Sequence, residues 1–323
     1  MIHSALDVTR MPLERREEIL NVIDTLSTRY LKGKVRAVRL SMIALLTGGH
    51  ILLEDIPGLG KTTLALALSG ALGLSFGRVQ CTSDLLPSDI TGLSVFNREE
   101  NRFRFMKGPI FNNIVLADEI NRAMPRTQSA MLEAMEEHRV TVDGVTYPLA
   151  EPFLVIATQN PLEQSGTYPL PDSQMDRFII RSGIGYPPED IEKEIIRHGS
   201  IRDGLREIPP LIGAEEILEA RKAVKEGVYI SQKVTEYIFS IVSMTRSHPL
   251  IVSGVSTRGG INLADASKAH AYLQGRDYVA PEDVQAIAGP VGAHRLILRA
   301  ENERLDREEI LGSILKDLPV PLA

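Results

Sequence analysis

The chain contains a short glycine-rich segment whose residue types suit the binding of phosphate groups. It follows an apolar run at 51–53 and leads into a second apolar stretch that begins at residue 64. Its residues, in order, are Pro57, Gly58, Leu59, Gly60, Lys61, Thr62 and Thr63. Backbone N–H groups of such a loop, and of the first turn of the following helix, attract an anion. We therefore expect Lys61 to contact the terminal phosphates of a nucleoside triphosphate and the Thr62 hydroxyl to bind Mg²⁺.

One position departs from the usual form of this loop. The pattern has glycine six residues before the lysine, because the backbone needs freedom where the strand ends, whereas this chain has Asp55. Aspartate tolerates unusual backbone angles better than most residues, so we expect the loop to form. A carboxylate beside phosphates weakens their binding unless it points away from them. The orientation of Asp55 therefore bears directly on nucleotide affinity.

Two further apolar runs end in polar side chains. Residues 114–117 lead into Asp118 and Glu119, and residues 153–158 lead into Gln159 and Asn160. In nucleotide-hydrolysing sheets an aspartate at a neighbouring strand end binds Mg²⁺, which is the role expected of Asp118. Glu119 would then polarise a water aimed at the γ-phosphate. Asn160 could orient the same water, or it could only cap the turn that an Asn-Pro pair favours.

These side chains require a sheet that brings the strand ends together. Alternating apolar runs and amphipathic stretches predict an α/β fold with a parallel five-stranded sheet and helices on both faces. The candidate strands are 51–54, 78–82, 113–118, 153–158 and 178–181. Two amphipathic helices, 13–30 and 34–46, precede them, and another helix is expected at 124–137.

Two hairpins are predicted as insertions into this plan. The first covers 94–106 and the second covers 139–149, around the Asp143-Gly144 pair that two-residue turns favour. In the first hairpin Phe103 and Phe105 alternate with arginines. That pattern admits base stacking, but four residues in an acidic chain make a nucleic-acid role the weaker interpretation.

The second half of the chain is predicted to be helical. Two prolines at 187 and 188 stop the last strand, and the acidic residues after them start a helix. We expect a nucleotide-binding αβα core at 1–187, a linker at 188–210 and an all-α lid domain at 211–323. The helices expected in the lid are 214–226, 231–247, 257–273, 281–299 and 307–316.

Composition limits the classes of protein that fit. The 323 residues are 43% hydrophobic and 24% charged, which is typical of a globular protein with a sizeable core. The net charge of −6 argues against a general nucleic-acid coat. Cys81 is the single cysteine, so no intramolecular disulfide can form. The N-terminus lacks a basic-then-apolar signal and no apolar run is long enough for a bilayer. We therefore expect a cytoplasmic protein that does not enter membranes.

Several longer segments together resemble the MoxR branch of the AAA+ ATPases. They are RVQCTSDLLPSDITG at 78–92, ADEINRA at 117–123, ATQNP at 157–161, GTYPLP at 166–171 and DRF at 176–178. The resemblance covers nearly the whole chain and is densest between residues 49 and 186. It implies an AAA+ P-loop αβα sandwich with a helical lid, and the aspartate at position 55 is a variant seen within the family.

The resemblance also implies a role for each matching residue. Lys61 and Thr62 match the Walker A lysine and its magnesium-binding hydroxyl, while Asp118 and the catalytic Glu119 match the Walker B pair. Asn160 matches the sensor 1 residue, Arg177 the arginine finger that enters the neighbouring subunit's site, and Arg258 the sensor 2 arginine of the lid. From the residues alone, both arginines are better explained as surface cations near helix ends.

The family implies ATP and Mg²⁺ as ligands and a ring of identical subunits, most often a hexamer. It also implies hairpins that face the ring's opening and contact a client, chaperone-like activity, and a partner that carries a von Willebrand factor A domain. Two other classes stay open at this point. One is a DNA-associated AAA+ motor, and the other is a binding module that switches with nucleotide and has little turnover.

Overall fold

A computed structural model describes residues 13–163, 165–199, 205 and 208–321. The N-terminal segment that bears on targeting, and residues 200–204, 206 and 207 of the predicted linker, lie outside the described residues. The N-terminal helices are α1 (Leu13–Thr25) and α2 (Val35–Leu46), with a π-helical turn (Leu26–Tyr30) after the first. Within the described ranges, no helix has both the length and the apolar character needed to cross a membrane.

The sheet and its insertions follow the N-terminal helices. They are β1 (Ile51–Glu54), α3 (Lys61–Ala71), β2 (Phe76–Gln80), α4 (Pro87–Thr91), β3 (Gly92–Asn97), β4 (Arg102–Lys107), β5 (Ile114–Asp118), α5 (Pro125–Glu137), β6 (Arg139–Val142), β7 (Val145–Pro148), β8 (Leu154–Gln159), α6 (Asp172–Met175) and β9 (Ile180–Ser182). The remaining elements are α7 (Glu189–His198), α8 (Ala214–Lys222), α9 (Gln232–Ser247), β10 (Ile251–Ser253), α10 (Thr257–Leu273), α11 (Pro281–Gly292), β11 (Ile297–Leu298) and α12 (Arg307–Asp317).

Five parallel strands form the central sheet in the order β2-β5-β8-β1-β9. This confirms the predicted α/β class, with each strand displaced from its predicted bounds by no more than two residues. The register pairs Gln80 with Asp118 and Glu54 with Gln159. The carboxyl ends of β2, β5, β8 and β1 therefore meet at one edge of the sheet, which we call the C-terminal edge.

Side chains of each strand alternate between two apolar layers, as the period of two in a strand requires. Leu52 packs with α5, whereas its neighbours Ile51 and Leu53 pack with α2 and α3. Both faces are buried, which explains why these strands read as continuous apolar runs. The layer that holds α2 and α3 extends without interruption into the lid helices. The predicted domain limits of 1–187, 188–210 and 211–323 stay a prediction, because this shared core crosses them.

Both predicted hairpins are present, as the antiparallel pairs β3–β4 and β6–β7. Asp143 and Gly144 both have positive φ angles, 51° and 79°, which is the geometry of a type I′ turn. Phe105 of the first hairpin stacks on Tyr147 of the second, with ring centroids 4.2 Å apart. Phe105 therefore packs between the two hairpins. Phe103, near the tip of the first hairpin, is 71% exposed.

Where the structure describes it, the lid is helical apart from one short sheet and an isolated bridge between Tyr229 and Tyr278, neither of which the sequence predicted. Strands β10 and β11 pair antiparallel, with Ile251 opposite Leu298. The helix expected at 281–299 ends at Gly292, so that expectation was wrong at its C-terminal end. The chain turns there because His294 and Arg295 are buried against the residues that lead into β9, where they bond the carbonyl oxygen of Phe178. A tertiary contact has overridden helix propensity.

One buried histidine fixes the other edge of the sheet, where β1, β8 and β9 begin, which we call the N-terminal edge. The Nδ1 of His50 accepts the Val155 N–H at 3.0 Å, so its Nε2 carries the proton and donates to the Met135 carbonyl at 3.1 Å. The His50 carbonyl accepts the Ile179 N–H at 3.0 Å. His50 thereby ties the end of α5 to the starts of β8 and β9.

We predict that this histidine makes stability depend on pH. Burial lowers the pKa of His50 to about 4 from 6.5, so in acid the unfolded chain takes up a proton that the folded protein does not. The stabilisation, worth about 3 kcal/mol, is complete above pH 6.5 and is lost as the pH falls toward 4. Urea unfolding between pH 7.5 and 4.5 should show this loss.

The matched variant is His50→Gln, which keeps a donor and an acceptor but does not titrate. Its unfolding free energy should fall less steeply with acid than that of the wild type. Some slope remains, because burial also lowers the pKa of His294. Equal slopes in the two proteins would contradict the role given to His50.

Candidate functional site

The phosphate-binding loop has the backbone shape that its glycines permit. Gly58 and Gly60 have φ angles of 89° and 97°, a region that residues with a Cβ atom rarely adopt. Nothing lies within 4 Å of where a Cβ on Gly58 would stand, so the loop is open on that side. Lys61 and Thr62 open helix α3 directly after the loop. The backbone N–H groups of this first turn thus have no partner within the helix and are able to bind an anion.

Asp55 points away from the phosphate-binding loop. Its Oδ2 accepts the N–H groups of Ile184 and Gly185 at 2.9 and 2.7 Å, and its Oδ1 accepts the N–H of Ile56 at 3.1 Å. Lys34 donates to the Gly185 carbonyl beside it. The carboxylate therefore holds the chain that leaves β9, and its charge is engaged there. Both oxygens of Asp55 are thus engaged by backbone N–H groups outside the glycine loop, although its charge still acts on Lys61.

Lys61 lies close to the acidic residues of the C-terminal edge. Its Nζ donates to the Asp55 carbonyl and, at 3.4 Å, to the Gln159 carbonyl. Burial lowers the pKa of Lys61, and the nearby carboxylates of Asp55, Asp118 and Glu119 oppose that shift. The ammonium group and the predicted acidic pair therefore lie at the same edge of the sheet.

A buried threonine positions both members of the acidic pair. The Thr158 hydroxyl donates to Asp118 Oδ1 at 2.8 Å and accepts the Glu119 N–H at 2.9 Å. Glu119 has φ 58° and ψ 52°, a left-handed conformation that is uncommon for a residue with a side chain and concentrates at functional sites. Sequence reasoning missed Thr158. Its signal was a polar residue inside an otherwise apolar strand.

Two arginines, also missed from the sequence, neutralise the acidic pair. Arg78 of β2 donates to Asp118 Oδ2 at 2.7 Å and to Gln80 at 2.9 Å. Arg122 donates to Glu119 Oε2 at 3.0 Å, and the Gln80 amide lies 3.5 Å from the same oxygen. Each carboxylate is thus oriented by a cation. In the sequence, Arg78 and Gln80 alternate with the apolar Val79, which is buried. This alternation could have predicted that both polar side chains lie on the same side of β2.

Asn160 lies at the same edge and also caps a turn. Its side-chain oxygen accepts the Leu162 N–H at 3.1 Å, which is the local role that an Asn-Pro pair favours. It lines a cleft of about 560 Å³ between the sheet and the lid, together with Gln159 and Arg307. The turn fixes the side chain beside open space, so the capping role and a role toward a ligand are compatible.

The two arginines predicted from the family lie elsewhere. Arg177 and Arg258 bond the same carboxylate, that of Glu136, at 3.2 and 3.1 Å. Glu136 follows Met135, whose carbonyl binds His50 immediately before β1. Both arginines therefore lie at the N-terminal edge, at the opposite end of β1 from the phosphate-binding loop.

Comparison with known families agrees with the fold. Residues 50–180 match the ATPase family associated with various cellular activities (AAA), and residues 243–314 match the AAA lid domain. The first match covers the sheet with its phosphate-binding loop, and the second covers the helices behind it. The protein is thus built as an AAA ATPase, a class whose members bind nucleotide.

Comparison with individual proteins narrows the class. The chain is 46% identical to the uncharacterized protein YeaC of Bacillus subtilis over 91% of its length and 92% of that protein's. It is 33% identical to the chaperone MoxR1 of Mycobacterium tuberculosis over 99% of this chain and 88% of that one. A crystal structure of a candidate ATPase from Cytophaga hutchinsonii superposes with a TM-score of 0.88 at 38% identity, covering 96% and 97% of the two chains. The chain belongs to the MoxR branch of the AAA+ ATPases, which confirms the resemblance in its motifs.

We predict that the Thr158 hydroxyl is required for turnover. The variant Thr158→Val removes the donor to Asp118 and the acceptor of the Glu119 N–H while keeping the shape of the side chain. Phosphate release from ATP should fall by about tenfold or more, and the unfolding free energy by about 1–3 kcal/mol, since buried polar groups lose partners. The control Thr158→Ser should stay near wild type in both measurements. Wild-type turnover in Thr158→Val would refute the positioning role.

Proposed function

We propose that this protein binds and hydrolyses ATP with Mg²⁺ and uses the energy to remodel or activate a protein client. The observation that carries the proposal is the convergence of Lys61, which contacts the Gln159 carbonyl, with Asp118 and Glu119, which both bond Thr158, beside an open glycine loop. An anion-binding helix start next to an acidic pair matches the needs of phosphoryl transfer to water. The likeness to a protein named a chaperone supports the choice of client.

The residues fit a magnesium nucleotide. The Thr62 hydroxyl and an Asp118 carboxylate oxygen are hard oxygen ligands of the kind that Mg²⁺ takes, and this metal usually keeps several waters. When bound, it supplies charge neutralisation to the β- and γ-phosphates. The main-chain N–H groups of residues 58–63 and the Lys61 ammonium bind phosphate oxygens. Glu119 orients the attacking water and accepts its proton, with Arg122 and Gln80 setting its direction.

In this proposal, the two arginines at the N-terminal edge complete the nucleotide site of another copy of the chain. Arg177 and Arg258 lie at the opposite end of β1 from their own chain's phosphate-binding loop, and we infer that they serve the site of a neighbouring copy. This places one copy's N-terminal edge against the next copy's C-terminal edge. A contact of that kind joins unlike surfaces, and its repetition gives a ring when the rotation between successive copies closes. We propose a ring of identical subunits, a hexamer by resemblance to the family.

The client and the partner are proposed on resemblance. MoxR-type ATPases act with proteins that carry a von Willebrand factor A domain, and we propose such a partner here. The hairpins β3–β4 and β6–β7 supply an exposed surface for a client, with Phe103 at the tip. The joining of the two hairpins through Phe105 and Tyr147 supports their acting as one unit.

We predict that Lys61→Ala abolishes or strongly weakens binding of Mg·ATP, because the only side-chain cation of the loop is lost. Equilibrium dialysis with labelled nucleotide measures this. Lys32→Ala is the matched control, since Lys32 pairs with Glu194 on the surface at 2.7 Å, and it should bind as wild type does. Retained binding in Lys61→Ala would argue strongly against the proposed function.

We predict that Arg177 acts across the subunit boundary. Arg177→Ala should bind Mg·ATP normally and lose most of its turnover, because a trans arginine contributes about 10³-fold or more to phosphoryl transfer. A mixture of Arg177→Ala and Lys61→Ala should regain turnover, since each supplies what the other lacks. The control mixture of Lys61→Ala with Glu119→Gln should stay inactive. Absence of recovery in co-assembled mixtures would refute action in trans.

A further inference from the structure

A single carboxylate brings together the two arginines of the N-terminal edge. Glu136 Oε2 lies 3.2 Å from Arg177 Nη2, and its Oε1 lies 3.1 Å from Arg258 Nη1. Each oxygen therefore binds a different arginine. The three residues come from α5, from the loop before β9 and from the first turn of the lid helix α10. We call these three residues the Glu136 cluster.

The backbone beneath each member of the cluster is held by buried contacts. The end of α5 is fixed by the hydrogen bond between Met135 and His50. Asp176, which precedes Arg177, accepts from Arg295 Nε at 2.6 Å, and the Arg295 side chain is only 2% exposed.

The start of helix α10, which carries Arg258, is capped by the Ser256 hydroxyl, the acceptor of the Gly259 N–H at 3.0 Å. The fold therefore fixes the backbone positions from which the three side chains of the cluster meet.

The charge of Glu136 is what allows the two arginines to lie together. Their contacting nitrogens are no farther apart than about one Debye length at physiological salt, so the two cations repel each other with little screening. The carboxylate offsets this repulsion and still leaves a net positive charge. Each guanidinium carries five N–H donors, so most of them stay available. Arg177 and Arg258 remain 29% and 50% exposed in their side chains, which leaves them accessible to an incoming anion.

We propose that Glu136 is a positioning residue that presents Arg177 and Arg258 as one paired receptor for the triphosphate of a neighbouring subunit. This inference rests on the proposed function. Glu136 touches no nucleotide itself and acts by setting the spacing of the two guanidinium groups. One arginine belongs to the sheet domain and the other to the lid. Through the shared carboxylate, both domains of one subunit therefore contact the same phosphate group of the next subunit.

The test compares Glu136→Gln, Glu136→Asp and the control Glu133→Gln in the full-length protein. Glu133 is an exposed residue of the same helix α5. We expect Glu136→Gln to lower kcat by about tenfold or more, since small displacements of positioned groups cost up to about 100-fold in rate. The KM for ATP and the Kd for Mg·ATP should be unchanged. Glu136→Asp keeps the charge and should be intermediate, and Glu133→Gln should match wild type.

A second measurement separates positioning from a structural role. In the Arg258→Ala background, Glu136→Gln should cost markedly less than it does alone, because residues that act as a unit are not additive. A full additional loss in that background, or an unchanged kcat in Glu136→Gln, would overturn the inference while leaving the ATPase in place. A wild-type protein without turnover, or a failed subunit mixture, would instead overturn the proposed function and this role with it.

Discussion

The parallel register of β1, β5 and β8 is the constraint on which the candidate site depends. It sets the end of β1, where the phosphate-binding loop begins, beside the end of β8, which Asn160 follows, and one strand away from the end of β5, which carries Asp118. The Thr158 hydroxyl of β8 then orients both members of the acidic pair, because it bonds the Asp118 carboxylate and the Glu119 N–H. A slip of one residue would turn every one of these side chains to the opposite face.

The elements of the sheet were predictable from sequence because their signals are local. The apolar runs, the glycine loop and the Asp-Gly hairpin each specify their own structure, and the observed strands lie close to the predicted ones. Glu119 and Lys61 could be singled out because their motifs have fixed spacing. The family could be recognised because long segments keep their order along the chain.

Contacts between segments distant in the sequence were not predictable. No local pattern indicates that Arg78 pairs with Asp118, or that Asp55 turns toward Ile184 and Gly185. The helix expected at 281–299 stopped at Gly292 because buried contacts to the residues before β9 redirect the chain. The location of Arg258 also depends on how the lid packs, which helix periodicity does not specify. In each case tertiary packing or pairing decided between local alternatives.

The apolar layer that runs from α2 and α3 into the lid has a mechanical consequence. Densely packed interiors do not deform continuously, so a lid that shares its interior with the body of its own subunit has little freedom to swing as a flap. The part-buried hydrogen bond from Arg295 to Asp176 also connects the lid to the sheet domain. We therefore expect the proposed ring to move by whole subunits tilting against one another, with the moving contacts between chains and not within one.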